Sequence, residues 1–346
     1  MNLRILILKL IMRLPDRLKI WMSGGEPVMI GGRKLNTNFQ LLAYQAAKSP
    51  PMSSLPADIA RAGSAAGLAM LAAPDATDIA WRDDTIPSRG SHTIPVRIYT
   101  PQHLDASLPV MAYFHFGGGV IGDLDTCHAF CQILARQIGC PIVSVDYRLA
   151  PEHKFPAGLE DAIDAYEWCL KNAESLGARP GHVAVGGDSM GGNLSAVIAQ
   201  DMRRQDKPMP DLQLLIYPAT DLIAEFPSNT LYGETYPLSS DTMDWFMQQY
   251  APDNEFDRAQ VLLSPGLEPR LAGLPNAVIA TAGFDPLVDD GAAYAKKLED
   301  AGVPVTFKCY DELAHAFTAF TNVVPAAKQA CIEIADLVRE ELHKIK

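Results

Sequence analysis

Val183-Ala184-Val185-Gly186-Gly187-Asp188-Ser189-Met190-Gly191 runs an apolar stretch of strand length into the pattern Gly-x-Ser-x-Gly, and a helical pattern begins at Met190. A serine at such a sharp strand-to-helix turn sits on a strained backbone that exposes its hydroxyl, and glycines two before and two after it relieve the crowding that side chains would create. Ser189 is therefore the candidate nucleophile. The pattern alone is short enough to arise by chance; its place between a strand and a helix gives it weight.

Outward from this turn, apolar runs of strand length alternate with longer helical patterns from Thr93 onward. The expected strands are 95–99, 110–115, 142–146, 183–186, 212–217, 277–282 and 305–310, with helices beginning near Asp125, Ala157, Met190, Leu287 and Pro325. Such alternation predicts the α/β class: a mostly parallel central sheet flanked by helices. Two regions stand outside it, residues 1–83 and the irregular stretch 221–260. Both are expected to form a helical cap on a catalytic domain of residues 84–346, because 221 follows a strand ending at the carboxyl edge of the sheet, where open α/β folds bind ligands.

A serine hydroxyl is a weak nucleophile and needs a neutral imidazole to take its proton and a carboxylate to hold that imidazole. After Ser189 the only histidines are His315 and His343, and His343 lies in a charged stretch near the C-terminus. His315, in the small-residue run Leu313-Ala314-His315-Ala316-Phe317 after the last expected strand, is the candidate base. Asp285 follows the strand 277–282 and is the candidate acid. Its rivals Asp289 and Asp290 fall in the first turn of the next helix, where carboxylates favour the helix dipole. Asp188 adjoins the nucleophile and cannot readily reach across the imidazole.

The reaction also needs donors for a developing negative charge. His115-Phe116-Gly117-Gly118-Gly119 follows a strand, and successive glycines let backbone N–H groups approach a ligand closely, as an oxyanion hole requires.

Composition narrows the classes. A net charge of -12 over 346 residues repels phosphate backbones and excludes wholesale nucleic-acid binding. Six cysteines are too few for a disulfide scaffold, and no paired Cys-x-x-Cys suggests a zinc site, so a cytoplasmic location and no metal or other cofactor are expected. Cys127 and Cys131 read as free thiols packing as small hydrophobes on one helix face. The apolar, basic stretch 1–14 is broken by Arg4, Lys9 and Arg13 and ended by Pro15. It is too short for a membrane span and reads as an amphipathic helix packed on the protein, in preference to the alternative of a helix lying on a membrane surface.

Together these motifs resemble the bacterial hormone-sensitive lipase family of α/β-hydrolases, over almost all of the chain from about Ile94. Asp146-Tyr147-Arg148-Leu149-Ala150-Pro151-Glu152-His153, Asp285-Pro286-Leu287 and Tyr310-Asp311 look like family signatures in the family's order. The charges of the first run read as structural pairing beneath the site. The resemblance implies the α/β-hydrolase fold, oxyanion donors from the N–H groups of Gly117, Gly118 and Met190, and His115 as a support of that loop. Relatives of this family are often dimers, which makes a homodimer the implied assembly. The chain departs from the family where Phe116 stands for a glycine, Met190 for the usual alanine and Ala316 for the usual glycine.

The expected activity is hydrolysis of small-molecule esters with short to medium acyl chains, through a Ser-His-Asp triad and an acyl-enzyme. Phe116, Trp245 and Phe246 are expected to line the substrate pocket. Two other readings are a non-catalytic ligand-binding relative, against which His315 speaks, and cleavage of an amide by the same triad.

Overall fold

The structure, a computed structural model, describes residues 3–345. It opens with α1 (Leu3–Met12), α2 (Asp16–Met22), a short antiparallel ribbon of β1 (Met29–Ile30) and β2 (Arg33–Lys34), α3 (Thr37–Ala46) and α4 (Ala57–Leu71). The body then alternates β3 (Ile79–Pro87), β4 (Thr93–Pro101), β5 (Val110–Phe114), α5 (His128–Ile138), β6 (Ile142–Val145), α6 (Ala157–Asn172), β7 (Val183–Asp188), α7 (Met190–Arg204) and β8 (Leu212–Ile216). After α8 (Pro227–Leu231) and α9 (Ser240–Tyr250) come β9 (Asn276–Phe284), α10 (Val288–Asp300), β10 (Val305–Ala314) and α11 (Pro325–Lys344).

The strands from β3 onward form one eight-stranded sheet in the order β3-β4-β6-β5-β7-β8-β9-β10. The two pairings at the β3 end are antiparallel and the rest parallel. This is the α/β-hydrolase fold with its mostly parallel sheet. Every residue of β5, β7 and β8 is buried, as expected of strands covered on both faces. Along β5 the pleat sends Met111 and Tyr113 into the core shared with α5 and α11, and Val110, Ala112 and Phe114 into the core shared with α6 and α7.

The expected boundary at 83/84 is corrected by β3. This strand pairs with β4 along its whole length, from Ile79 opposite Pro101 to Pro87 opposite Thr93, so residues 79–83 belong to the sheet. Only Ile79 and Ile86 of the strand are buried. An edge strand with charged residues such as Arg82, Asp83 and Asp84 facing solvent carries no apolar alternation by which to recognise it.

The stretch expected to be irregular, 221–260, contains α8 and α9. Ser239 caps α9 by accepting the Thr242 N–H at 3.2 Å. The N-terminal segment is tied to the body by two arginines. Arg33 reaches Asp311 at 2.8 Å and the Tyr232 hydroxyl at 3.1 Å. Arg61 of α4 donates to the Val120 carbonyl at 2.6 Å and to Glu152 at 2.9 Å, and also reaches the Ala150 carbonyl. Among the described residues no helix is long and apolar enough to cross a membrane.

Candidate active site

Ser189 stands between the end of β7 and the first turn of α7 at φ 55° and ψ −116°, a conformation that non-glycine residues avoid. Close packing imposes it. A Cβ on Gly187 would lie 2.3 Å from the Gly191 carbonyl, and one on Gly191 would lie 1.9 Å from the Phe114 carbonyl oxygen. The flanking glycines are therefore required by the approach of neighbouring backbone, while the strained φ falls on the serine itself.

The three residues expected to act together are brought into one hydrogen-bonded chain. His315 Nε2 lies 3.0 Å from Ser189 Oγ, and His315 Nδ1 lies 2.7 Å from Asp285 Oδ2. Asp285 directly follows β9 and His315 directly follows β10, so neighbouring parallel strands deliver acid and base to the same edge of the sheet. Asp285 is wholly buried, and its other oxygen accepts the Leu287 N–H at 2.9 Å.

Both rival carboxylates are occupied elsewhere. Asp289 accepts the Ser228 N–H at 2.9 Å. Asp290 accepts the N–H of Thr220 at 2.8 Å and its hydroxyl; burial pushes its carboxyl up to about 7, which those bonds only partly offset.

Gly117, Gly118 and Gly119 all have left-handed φ, at 126°, 62° and 72°. A Cβ on Gly117 would strike the Ile121 carbonyl at 2.0 Å, and one on Gly118 would strike the Phe246 ring at 2.3 Å. Phe116, standing for a glycine, leaves Gly117 and Gly118 beside the nucleophile: both line the same cavity as Ser189, Met190 and His315. Among the described residues the N–H groups of Gly117, Gly118 and Met190 have no protein acceptor. His115 stacks on Tyr147 with ring centroids 4.5 Å apart, and its Nδ1 lies 2.7 Å from the Phe116 carbonyl oxygen. It is buried against the glycine loop and does not line the cavity.

The cavity measures about 980 Å³, at the upper end of small-molecule sites. α1 to α4, the glycine loop, the 221–260 segment and the His315 loop all contribute to its wall. Of the three residues expected at a substrate pocket, Phe116 and Phe246 border this cavity and Trp245 does not. On α9 the cavity takes Ser240, Thr242, Met243, Asp244, Phe246 and Met247, the side of the helix that leaves Asp241 and Trp245 opposite. Trp245 points away and packs against Phe246 at 5.3 Å between centroids.

Sequence reasoning assigns Asp188 no role, and its partners show one. Wholly buried, it accepts from the Thr318 hydroxyl at 2.7 Å and the Tyr217 hydroxyl at 2.9 Å. Burial pushes its carboxyl above the usual carboxylate range. Thr318 follows His315 by three residues and the Tyr217 ring packs on the imidazole at 4.6 Å, so Asp188 ties the nucleophile turn to the histidine loop. The Asp-Tyr-Arg-Leu-Ala-Pro-Glu run pairs as expected of structural charges: Arg148 with Asp161 at 2.9 Å, and Glu152 with Arg61.

This sheet, with a serine, an imidazole and a carboxylate in sequence at its carboxyl edge, defines the class of α/β-hydrolases. A family model described as alpha/beta hydrolase fold matches residues 111–319. The carboxylic ester hydrolase LipN of Mycobacterium tuberculosis is 37% identical over 96% of this chain and 90% of its own. The ethyl acetate hydrolase of Pseudomonas putida is 36% identical over 86% of this chain and 94% of its own. Among solved structures, an ester-hydrolase from the Lake Arreo metagenome superposes with a TM-score of 0.81 at 37% identity, covering 88% of this chain and 96% of that one. A hyperthermophilic esterase from Pyrobaculum calidifontis gives 0.80 at 35% identity, covering 89% and 97%. The chain belongs to the hormone-sensitive-lipase-like carboxylesterase family of the α/β-hydrolase superfamily.

Proposed function

We propose that this carboxylesterase cleaves esters of short to medium acyl chains through an acyl-enzyme, with Ser189 as nucleophile, His315 as general base and acid, and Asp285 holding the imidazole. The observation that carries the reading is the Ser189–His315–Asp285 chain of hydrogen bonds at 3.0 and 2.7 Å, beside backbone N–H groups with no protein acceptor among the described residues. As Ser189 Oγ attacks the ester carbonyl, His315 Nε2 takes its proton, and the carbonyl oxygen becomes an anion held by the N–H groups of Gly117, Gly118 and Met190. Collapse expels the alcohol, which receives that proton. Water then attacks the acyl-enzyme, giving its proton to His315, and the serine is released with the acid.

The test is Ser189→Ala and His315→Ala, expected to lower turnover about 10⁶-fold, and Asp285→Asn, about 10⁴-fold, while thermal unfolding stays cooperative. Near-wild-type turnover in any one breaks the assignment.

The size preference rests on the wall beside the nucleophile. Phe116, Met190 and Phe246 all border the cavity there, and Gly118 leaves no gap to the Phe246 ring. Each buried methylene of an acyl chain contributes about 0.8 kcal/mol until it meets that wall, after which length costs overpacking. The remaining cavity, apolar and bordered by Leu8, Ile11 and Met12, is assigned to an apolar alcohol. Turnover across nitrophenyl esters is expected to fall beyond roughly eight carbons, and a rate still rising at palmitoyl overturns the size reading. The helices α1 to α4 and the 221–260 segment are read as one cap, since both border this cavity. The six cysteines are free thiols, five of them buried, which supports a cytoplasmic location.

A further inference from the structure

The inner faces of α1 and α2 border the substrate cavity, through Leu8, Ile11, Met12 and Met22. Their outer faces are not polar, as a helix packed on a water-soluble body would have them. Leu6, Ile7 and Leu10 of α1 and Leu18 and Trp21 of α2 are exposed, Leu10 by 56% and Trp21 by 75%. Large apolar side chains clustered on consecutive helices mark a surface that another phase or molecule covers.

Two charge observations identify the occupant. Lys9, Arg13 and Arg17 stand among these apolar residues, with Arg13 and Arg17 exposed and without a carboxylate partner among the described residues. The nearby acid, Asp16, is taken by Lys19 at 3.0 Å and by the Thr37 hydroxyl at 2.7 Å. Beside α1 lies a second cavity of about 430 Å³ with no acidic side chain in its wall, bordered by Lys9, Arg13 and Lys328 and by Arg136, which is itself paired with Asp78. In a chain of net charge -12 this is a local reversal of sign. With 3.6 residues per turn, α1 presents three faces in succession: Leu8, Ile11 and Met12 to the substrate cavity, Lys9 and the following Arg13 to the basic cleft, and Leu6 and Leu10 to solvent.

We propose that the two N-terminal helices dock this enzyme on an anionic phospholipid membrane. The basic cleft takes a lipid phosphate, and Leu6, Ile7, Leu10, Leu18 and Trp21 enter the boundary between headgroups and acyl chains, as amphipathic helices rich in basic and apolar residues do. Tryptophan suits this boundary because its ring is apolar and its N–H polar. An ester of an apolar alcohol dissolved in the bilayer would then meet the helices whose other faces border the cavity. The delivery of substrate rests on the hydrolytic reading; the docking does not, because it is measured without turnover.

The full chain is to be sedimented with vesicles of phosphatidylcholine alone and of phosphatidylcholine mixed with phosphatidylglycerol. Binding is expected on the mixed vesicles, with much less on the neutral ones. Replacing Arg13 and Arg17 together by Gln should weaken binding about 30-fold, the effect of two positive charges lost near an anionic surface. Leu10→Glu with Trp21→Glu should abolish it. All these variants should hydrolyse water-soluble nitrophenyl acetate at the wild-type rate, which shows that they are folded. The proposal is overturned if the protein does not sediment with the mixed vesicles or sediments equally with both kinds. It is overturned as well if inorganic phosphate binds at the cleft while vesicles do not. A dimer that Leu10→Glu with Trp21→Glu converts to a monomer in light scattering, with vesicle binding unchanged, would assign the face to a second copy.

Discussion

Gly118→Ala separates the two demands placed on the glycine loop, its backbone conformation and its contact with α9. At φ 62° an alanine has a Cβ crowding the following carbonyl, at a cost of about 1–2 kcal/mol. Space is the larger demand: the new Cβ would sit 2.3 Å from Cγ and 2.6 Å from both Cδ atoms of Phe246, well inside contact distance. Either the Phe246 ring and α9 move away, or the loop shifts and takes the Gly118 N–H off the carbonyl oxygen. Loss of one such donor costs about 3 kcal/mol of barrier, so kcat should fall roughly 10²- to 10³-fold. Adding Phe246→Ala removes the collision but not the strain in φ. The double variant should therefore recover about tenfold of the lost kcat relative to Phe246→Ala alone, a coupling of about 1.4 kcal/mol. The assay is a double-mutant cycle on nitrophenyl acetate, with thermal unfolding of each variant to establish that it is folded. A near-wild-type kcat in Gly118→Ala refutes the donor role. A double variant no better than additive refutes the placement of Phe246 on the loop.

Two further predictions concern stability and the cap. Asp290 binds its proton more tightly in the folded state, at about 7, than in the unfolded chain, near 3.8, so its contribution is full below the lower value and lost as pH climbs through the higher. Relative to Asp290→Asn, which cannot ionise, the wild type should lose roughly 2–3 kcal/mol between pH 5 and 7.5, measured by urea unfolding; a constant difference would show that the carboxyl titrates normally. Arg61→Ala strips the Val120 and Ala150 carbonyls of a charged donor and should cost about 1–3 kcal/mol. Because Ala60, Gly63 and Ser64 of α4 border the cavity, KM should rise more than kcat changes; unaltered unfolding and KM would show that Arg61 is not the tie.

Ser189 and Asp285 are legible in the sequence because each follows an apolar strand directly, and His315 because it is one of two histidines after the serine and follows the last strand; parallel strands bring their carboxyl ends to one edge. The glycines at 117 and 118 are legible for a related reason, since backbone that must approach a ligand tolerates no Cβ. These are local patterns, and a chain carries them in order. Pairings between residues far apart are not of that kind. Arg61 and Glu152 lie 91 positions apart, and Asp188 and Thr318 lie 130 apart, with nothing in either segment naming its partner. The solvent-facing strand β3 lacks the apolar pattern that identifies buried ones. Trp245 and Phe246, adjacent and alike in character, are separated only by the rotation of α9 against the glycine loop, which turns one into the cavity and the other away. Period and residue type decide which groups are available for chemistry, whereas the docking of one element on another decides which of them share a site, because that docking depends on contacts that close only when the whole sheet and its cap have assembled.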